Sequence, residues 1–250
     1  MGKTWQKCWN ALNYLYGTLL TGSKRRLRSY RQCHSGRCFI IGNGPSLTDS
    51  DMRRLMELGE VTFACNSLIK LFDTIPFTPT YYFAQDNKII LDNYKEIENY
   101  TGTRFIKAHY AGRYHIKGVT YYNMLFPQSP IGFSGNIDKV VYSGQTVTYS
   151  MIQFAAYMGF KEIYLIGVDC NYSPGNSVIT KDSYFDARLY NSNRAYAAPE
   201  VDTNLKAYAR AKEVCEQQGI KIYNATRGGK LEIFERVDLD TIFNNKNLQS

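Results

Sequence analysis

Three short apolar runs in the first third of the chain each end on amide or acidic side chains, and segments with helical spacing follow them. The runs and their polar ends are Arg37–Ile41 with Gly42-Asn43-Gly44-Pro45-Ser46, Val61–Cys65 with Asn66, and Thr80–Ala84 with Gln85 and Asp86. Apolar runs that alternate with helical segments are typical of buried parallel strands. Because ligands bind beyond the carboxyl ends of such strands, we expect these polar residues to surround a binding crevice.

The second half of the chain continues the alternation of helix and strand. Thr146–Met158 has an apolar helical pattern that stops at Gly159, and the buried strand Lys161–Asp169 ends on an acid. A helix over Leu205–Gln217 and a strand over Lys221–Ala225 follow. The pattern predicts an α/β fold with a Rossmann-like, doubly wound and mostly parallel sheet.

A single domain is expected from the length of 250 residues, and we place it at residues 37–243. Residues 244–250 form a short tail, and residues 1–36 form a basic leader. Residues 1–48 contain eight Lys and Arg and no acid, whereas the rest of the chain has 22 basic and 22 acidic residues. The neutral body carries no nucleic-acid motif, so we expect no nucleic-acid partner.

The leader has the spacing of an amphipathic helix. Apolar and aromatic residues recur at steps of three and four, at Trp5, Cys8, Trp9, Leu12, Leu15, Tyr16 and Leu19. Because a basic stretch follows at Lys24–Arg31, we predict contact with an anionic membrane surface through residues 5–31. Packing of this helix on its own domain or on a second subunit is the alternative.

Cysteine usage and hydropathy favour the cytoplasm, with peripheral attachment to the inner face of the plasma membrane through the leader. The six cysteines are scattered without a CxxC pair, which indicates a reducing compartment and no zinc site. No apolar stretch approaches the roughly 20 residues that span a bilayer, and the N-terminus lacks a signal-peptide pattern.

The loop after the first strand is predicted to hold an anionic ligand. Glycines between a strand and a helix let backbone N–H groups approach a phosphate, and the helix dipole favours negative charge there. Gly42, Gly44 and Ser46 fit this role. The loop matches neither the P-loop nor the usual dinucleotide fingerprint, so the motif by itself does not identify the ligand.

Several segments together resemble a known group of proteins. They are Ile40–Leu47, Cys65-Asn66, Thr146–Tyr149, Gly159–Asp169 and Asn224–Phe234. In this order they resemble the bacterial CMP-sialic-acid-dependent sialyltransferases of the Campylobacter type. They resemble still more the 6-hydroxymethylpterin diphosphokinase-like domains found among polysaccharide and flagellin glycosylation proteins. The resemblance covers residues 37 to 243.

This resemblance implies a set of nucleotide-contacting residues. They are Asn43, Gly44, Ser46, Asn66, Gln85 and Thr146, to which the strand-end pattern adds Gly42, Asp86 and Asp169. In the sialyltransferases, tyrosines after the Gly-x-Asp strand contact the phosphate leaving group, and Tyr172 and Tyr184 match them here. The resemblance also places Thr146 near the phosphate or the sugar.

The general base is the point where this chain departs from the sialyltransferases. They use a histidine before the next helix, but the matching stretch, Tyr196–Asp202, contains none, and the histidines of this chain are His34, His109 and His115. A carboxylate can take the proton of a sugar hydroxyl, so we predict Glu200 or Asp202 as the base. Helix capping is the alternative role of Asp202.

The sequence allows two roles for Asp169. At a strand end it can orient a hydroxyl or hold Mg²⁺ between phosphates, and it can equally cap the following loop. No second acid stands at a fixed offset from it, so we predict no metal site.

Together these features predict a glycosyltransferase of surface polysaccharide biosynthesis. The enzyme would transfer a sugar from a CMP-sugar or another nucleotide sugar to a saccharide or lipid-linked acceptor. A sialic-acid-like sugar is one candidate for the transferred group. We expect no required cofactor. One alternative is a Mg²⁺-dependent pyrophosphokinase of the 6-hydroxymethylpterin diphosphokinase type. The other is a non-catalytic nucleotide-binding module.

Overall fold

The computed structural model describes residue 12 and residues 15–110, 115–126, 130–171, 179–192 and 200–247. Trp5, Cys8 and Trp9 of the predicted amphipathic helix lie outside these residues, as does Tyr172. None of the helices within the described ranges combines the length and the apolar character needed to cross a bilayer.

Eight strands form one sheet in which every neighbouring pair is parallel. Within the described residues the strands are β1 (Arg37–Ile41), β2 (Thr62–Cys65), β3 (Tyr81–Ala84), β4 (Thr103–Lys107), β5 (Thr120–Tyr122), β6 (Met124–Leu125), β7 (Val141–Tyr142), β8 (Glu162–Ile166), β9 (Lys221–Asn224) and β10 (Glu235–Arg236). The sheet order is β10-β9-β8-β1-β2-β3-β4-β5, and β6 and β7 make a separate parallel pair. The predicted Rossmann-like α/β fold is therefore confirmed.

The helices cover both faces of this sheet. The α-helices of the described residues are α1 (Ser23–Ser29), α2 (Asp49–Glu57), α3 (Asn87–Asp92), α4 (Tyr94–Asn99), α5 (Val147–Met158), α6 (Val201–Gln217) and α7 (Leu239–Asn247). All twelve residues of α5 are buried, which explains why its sequence is mostly apolar and contains no charged residue. A helix with this pattern belongs against the central strands, where it contacts β1 and β3.

The order of the strands creates a switch point between β1 and β8. From β1 the chain runs outward through β2, β3 and β4 to β5, and it then returns to the other side of β1 to form β8. The connections that leave β1 and β8 therefore diverge at the carboxyl edge of the sheet. In open α/β sheets a crevice opens at this place.

Part of the leader packs onto the domain. Leu27 of α1 is fully buried in the core, and the Arg26 side chain donates to the carbonyl of Val119 at 2.8 Å and to the hydroxyl of Thr120 at 3.0 Å. Leu15–Leu20 forms a short π-helix before α1. For residues 23–29 the structure thus agrees with the alternative that the leader packs on its own domain.

Candidate functional site

A cavity of about 920 Å³ opens at the carboxyl edge of the sheet. Its walls come from the loops after β1 and β8, the ends of β2, β3 and β4, the start of α5, and α6. Of the predicted nucleotide-binding residues, these line it: Gly42, Asn43, Gly44, Asn66, Gln85, Asp86, Thr146 and Asp169. The volume lies near the upper end of the roughly 300–1,000 Å³ typical of ligand pockets.

The loops after β1 and β8 hold one another closely. The N–H of Gly42 donates to the carbonyl of Ile166 at 2.8 Å, and the N–H of Gly44 donates to the carbonyl of Gly167 at 2.9 Å. A Cβ at Gly42 would overlap the Gly167 carbonyl, and one at Gly44 would overlap the Asp169 carboxylate. The glycines are thus required for contact between two loops. Their N–H groups, which we expected to face a phosphate, are already bonded to the protein.

The Asp169 carboxylate takes the place beside this loop that we expected a ligand anion to take. It is 7% exposed, and it accepts a hydrogen bond from the Ser46 hydroxyl at 2.8 Å. Burial raises the pKa of Asp169, and the hydrogen bonds from the hydroxyl and the backbone N–H of Ser46 oppose that rise. The structure therefore shows Asp169 tying two loops together. Direct contact of Asp169 or Ser46 with a ligand stays a prediction.

The ends of β2 and β3 are held in specific conformations. Asn66 has a φ of +53°, in the left-handed region that Asn tolerates better than most residues. The Gln85 side-chain oxygen accepts from the Ser150 hydroxyl at 2.7 Å, which fixes the amide within the core. Asp86 is the N-cap of α3 and accepts from the N–H groups of Lys88 and Ile89. Asp86 thus has a capping role besides lining the cavity.

Four asparagines of the cavity wall carry a side-chain oxygen that is shielded from solvent and has no hydrogen-bond donor among the described residues. We call them the amide set: Asn43, Asn66, Asn87 and Asn204. An unpaired buried polar group costs about 1–3 kcal/mol, so native proteins rarely retain several around one space. Carboxamide oxygens accept hydrogen bonds from the amino and hydroxyl groups that a nucleoside or a sugar presents.

Helix α5 points its amino end at the same cavity. Its N-cap, Thr146, makes no capping bond with its side chain, and the Thr146 hydroxyl lies 3.4 Å from the Tyr208 hydroxyl instead. Thr146, Val147 and Thr148 line the cavity. The first turn of a helix has backbone N–H groups without intrahelical partners, and the helix dipole adds about half a positive charge there. This end of α5 suits a phosphate better than the glycine loop does.

Lys107, at the end of β4, is a cavity residue that the sequence analysis missed. It is 6% exposed, and its ammonium group lies 5.5 Å from the centre of the Phe126 ring. Burial lowers the pKa of Lys107 to about 8, although the Asp86 carboxylate opposes the shift. A buried cation facing a cavity is an attractive site for an anionic group. The sequence offered one signal, a lysine at the end of an apolar strand-like run.

The residues predicted to act in catalysis lie in different places. Tyr184 lines the cavity, and burial raises its pKa to about 12, so its hydroxyl is a neutral hydrogen-bond donor. Glu200 is the N-cap of α6 and accepts from Gln145 and Thr203 at 3.2 Å each. Asp202 is exposed in the first turn of α6. Neither Glu200 nor Asp202 belongs to the described residues that line the cavity. Their role as the base stays a prediction.

The carboxylates of the cavity wall do not make a preformed metal site. Three of them, Asp86, Asp169 and Asp182, line the cavity. The first two already accept hydrogen bonds from the protein. Within the described ranges no three His, Cys, Asp or Glu side chains lie close enough together to hold a metal ion.

The fold and the cavity define a Rossmann-like α/β domain with a large cavity at its switch point. More particularly, the chain belongs to the 6-hydroxymethylpterin diphosphokinase MptE-like family, whose model matches residues 12–175. A search of curated protein sequences gives no significant match.

Solved structures share the fold at low sequence identity. The MAf glycosyltransferase from Magnetospirillum magneticum AMB-1 matches with a TM-score of 0.56 and 17% identity over 92% of this chain. This chain spans only 41% of that protein. The sialyltransferase CstII from Campylobacter jejuni, solved with cytidine-5'-monophosphate, matches with a TM-score of 0.46 and 18% identity, over 80% of this chain and 84% of that one. The likeness to the MAf protein establishes the shared fold.

Proposed function

We propose that this chain is a glycosyltransferase that binds a nucleotide sugar in the switch-point cavity and transfers the sugar to a hydroxyl acceptor. The amide set is the observation that carries the proposal. These four asparagines lie in the wall of one cavity, and a turn of their side chains would bring the unpaired amide oxygens to the amino and hydroxyl groups of a bound nucleotide sugar. A fold shared with a described glycosyltransferase supports the same class.

The phosphate of the donor is assigned to the amino end of α5 and to Lys107. During transfer, the acceptor oxygen forms a bond to the anomeric carbon while the bond from that carbon to the phosphate oxygen breaks. Negative charge therefore develops on the departing phosphate. Backbone N–H groups at Val147 and Thr148, the Lys107 ammonium and the Tyr184 hydroxyl are donors of the kind that stabilise this charge.

A base must take the proton of the acceptor hydroxyl, and we assign this role to Glu200 or Asp202. Glu200 is the better placed of the two, since its carboxylate bonds to Gln145, a residue of the cavity wall. No metal takes part in this scheme. A saccharide or lipid-linked acceptor and a role in surface polysaccharide assembly are parts of the proposal that rest on the sequence resemblance.

A Mg²⁺-dependent diphosphokinase is the second candidate, and the family match favours it. That reaction moves a diphosphate from ATP to an alcohol and releases AMP, and it requires cations around the phosphates. Asp86, Asp169 and Asp182 are the carboxylates that would have to bind Mg²⁺, and two of them are already engaged by the protein.

Turnover assays separate the candidates. The purified chain is incubated with CMP-, UDP- or GDP-sugars, or with ATP, in Mg²⁺ or in EDTA, and the released nucleotide is measured. Release of a nucleotide from its sugar in EDTA, with mass transferred to a saccharide acceptor, supports the transferase. AMP formation that requires Mg²⁺ supports the diphosphokinase, and tight nucleotide binding without any turnover supports a binding module.

A matched pair of variants then tests the base. Glu200→Gln and Asp202→Asn each remove one carboxylate without changing its size. We expect kcat to fall by about 10²–10⁴-fold in the variant that removes the base, with little change in donor affinity. Equal kcat in both variants and in the parent would remove both residues from the mechanism.

A further inference from the structure

A second cavity, of about 320 Å³, lies at the amino end of β5, away from the switch-point cavity. Its walls are basic and apolar, formed by Leu20, Thr21, Arg26, His115, Lys117, Gly118 and Val119. The segment before α1 and the turn before β5 thus meet there. Neither the family match nor the proposed reaction assigns any role to this place.

Arg26 in this cavity carries a charge that the described residues do not neutralise. Its guanidinium donates to the Thr120 and Ser23 hydroxyls and to the carbonyls of Thr21 and Val119, all of them neutral groups. Within the described ranges the nearby carboxylate of Asp138 pairs with Arg28 at 2.8 Å. A fixed guanidinium with only neutral partners retains its attraction for an anion.

Exposed leucines lie in the chain segment that leads into this cavity. Among the residues that the structure describes, the large apolar side chains left exposed are Leu12, Leu15, Leu19, Leu20, Met56, Leu125 and Phe126. Four of these seven lie within residues 12–20, and Leu20, which lines the cavity, is 77% exposed. A segment with several exposed leucines is a candidate interaction surface.

We propose that this surface docks on an anionic lipid bilayer, with a lipid phosphate in the second cavity. The leucines would enter the boundary of the acyl chains, while Arg26 and Lys117 face the phosphate of a headgroup. Charge complementarity identifies the occupant, because residues 1–48 contain no acid and the cavity wall contains none. An apolar edge beside uncompensated cations is the arrangement of proteins that lie in a membrane interface.

Vesicle co-sedimentation of the full chain tests this docking surface. Phosphatidylcholine vesicles are compared with vesicles that also contain phosphatidylglycerol. The variant Leu20→Ser with Lys117→Glu removes the most exposed leucine and reverses one cavity charge. The control variant Met56→Ser with Lys221→Glu likewise replaces an exposed apolar residue by serine and a lysine by glutamate, but on α2 and β9, elsewhere on the surface. Donor binding by the switch-point cavity should be unchanged in both variants, which makes this test independent of the proposed function.

The parent protein and the control should sediment with the anionic vesicles and be released by high salt. The Leu20→Ser, Lys117→Glu variant should bind those vesicles more than about tenfold more weakly. Equal binding to both kinds of vesicle, no binding, or equal binding by the two variants would overturn the proposal. Thermal stabilisation by inorganic phosphate without vesicle binding would also overturn it. Dimerisation of the parent protein through this surface, without binding to vesicles, would overturn the proposal as well.

Discussion

The backbone of the loop pair at the switch point, Gly42–Ser46 with Gly167–Asp169, and the side chains of the amide set, Asn43, Asn66, Asn87 and Asn204, differ in how their polar groups are satisfied. Asn43 belongs to the loop pair through its backbone and to the amide set through its side chain. In the loop pair, the N–H groups of Gly42 and Gly44 donate across the two loops, and the Asp169 carboxylate accepts from Ser46. In the amide set, the side-chain oxygens have no described partner. The contacts of the loop pair are therefore structural, whereas the amide set carries the ligand contacts of the proposed function.

Under the proposed function, this difference means that the glycine loop, the most recognisable motif of the chain, is not the part best suited to hold the donor. Gly42 and Gly44 allow two loops to approach closely, and that contact brings the β1 and β8 ends together. The proposed function therefore assigns ligand recognition to side chains on the neighbouring elements. If this is right, substitutions in the two regions should give different signatures, with stability lost in one and affinity lost in the other.

The largest effect is expected from Gly44→Ala. The added Cβ would collide with the Asp169 carboxylate, which is tied to Ser46 and buried, so the collision cannot be relieved by rotation of an exposed side chain. We expect a loss of about 3 kcal/mol in the free energy of unfolding, measured by denaturant titration. Gly135→Ala is the control, because nothing lies within 4 Å of its added Cβ. An equal loss of unfolding free energy in both variants would contradict a structural role for the contact between the two loops.

The next largest effect is expected from Lys107→Met, which keeps the length of the side chain and removes its charge. Donor affinity, measured by calorimetry, should fall by roughly 10–100-fold, as for loss of a hydrogen bond to a charged group. The free protein should become no less stable, because a buried cation is replaced by an apolar group. Lys88→Met, at an exposed cavity residue, should change affinity by less than about threefold. Similar losses in the two variants would argue against a special role for Lys107.

A smaller effect is expected from Asn204→Ala, which should lower donor affinity without lowering the stability of the free protein. Asn204 is buried within α6, where alanine favours the helix and removes a polar atom without a partner. The melting temperature of the free protein should hold or rise, while donor affinity should fall by about 3–10-fold. Asn93→Ala serves as the control for affinity, since Asn93 also has an unpaired amide oxygen but does not line the cavity. A loss of stability with unchanged affinity would make Asn204 a structural residue.

The smallest effect is expected from pH. The pKa of Lys107 is lowered to about 8, so the cation that attracts an anionic donor is present below pH 8 and is lost as the pH rises through that value. Donor affinity should fall about fourfold between pH 7 and 8.5, and Lys107→Met should abolish this dependence. In the free protein the unfolded chain binds more protons between about pH 8 and 10.5, so this lysine makes stability rise with pH there. A pH profile unchanged by the variant would contradict the assignment.

The sequence predicts the fold and the position of the cavity better than the contacts within it. Strand ends are visible as apolar runs that stop on polar residues, and this places Asn66, Gln85 and Asp86 at the cavity correctly. The partners of Gly42 and Gly44 are not visible, because they lie at the end of β8 and directly after it, more than 120 residues later. Lys107 was missed because its burial depends on Phe126 and on the packing of β4 within the sheet.

Ligand binding by the switch-point cavity is the central claim, and a thermal-shift titration tests it most directly. The parent protein, Lys107→Met and Asn204→Ala are titrated with CMP, CMP-sialic acid, UDP- and GDP-sugars and ATP, with and without Mg²⁺. A nucleotide sugar should stabilise the parent protein without Mg²⁺, by roughly 2.7 kcal/mol at 100 times its dissociation constant, and should stabilise both variants less. The claim would be contradicted if no nucleotide stabilised the parent protein, or if one stabilised all three proteins equally.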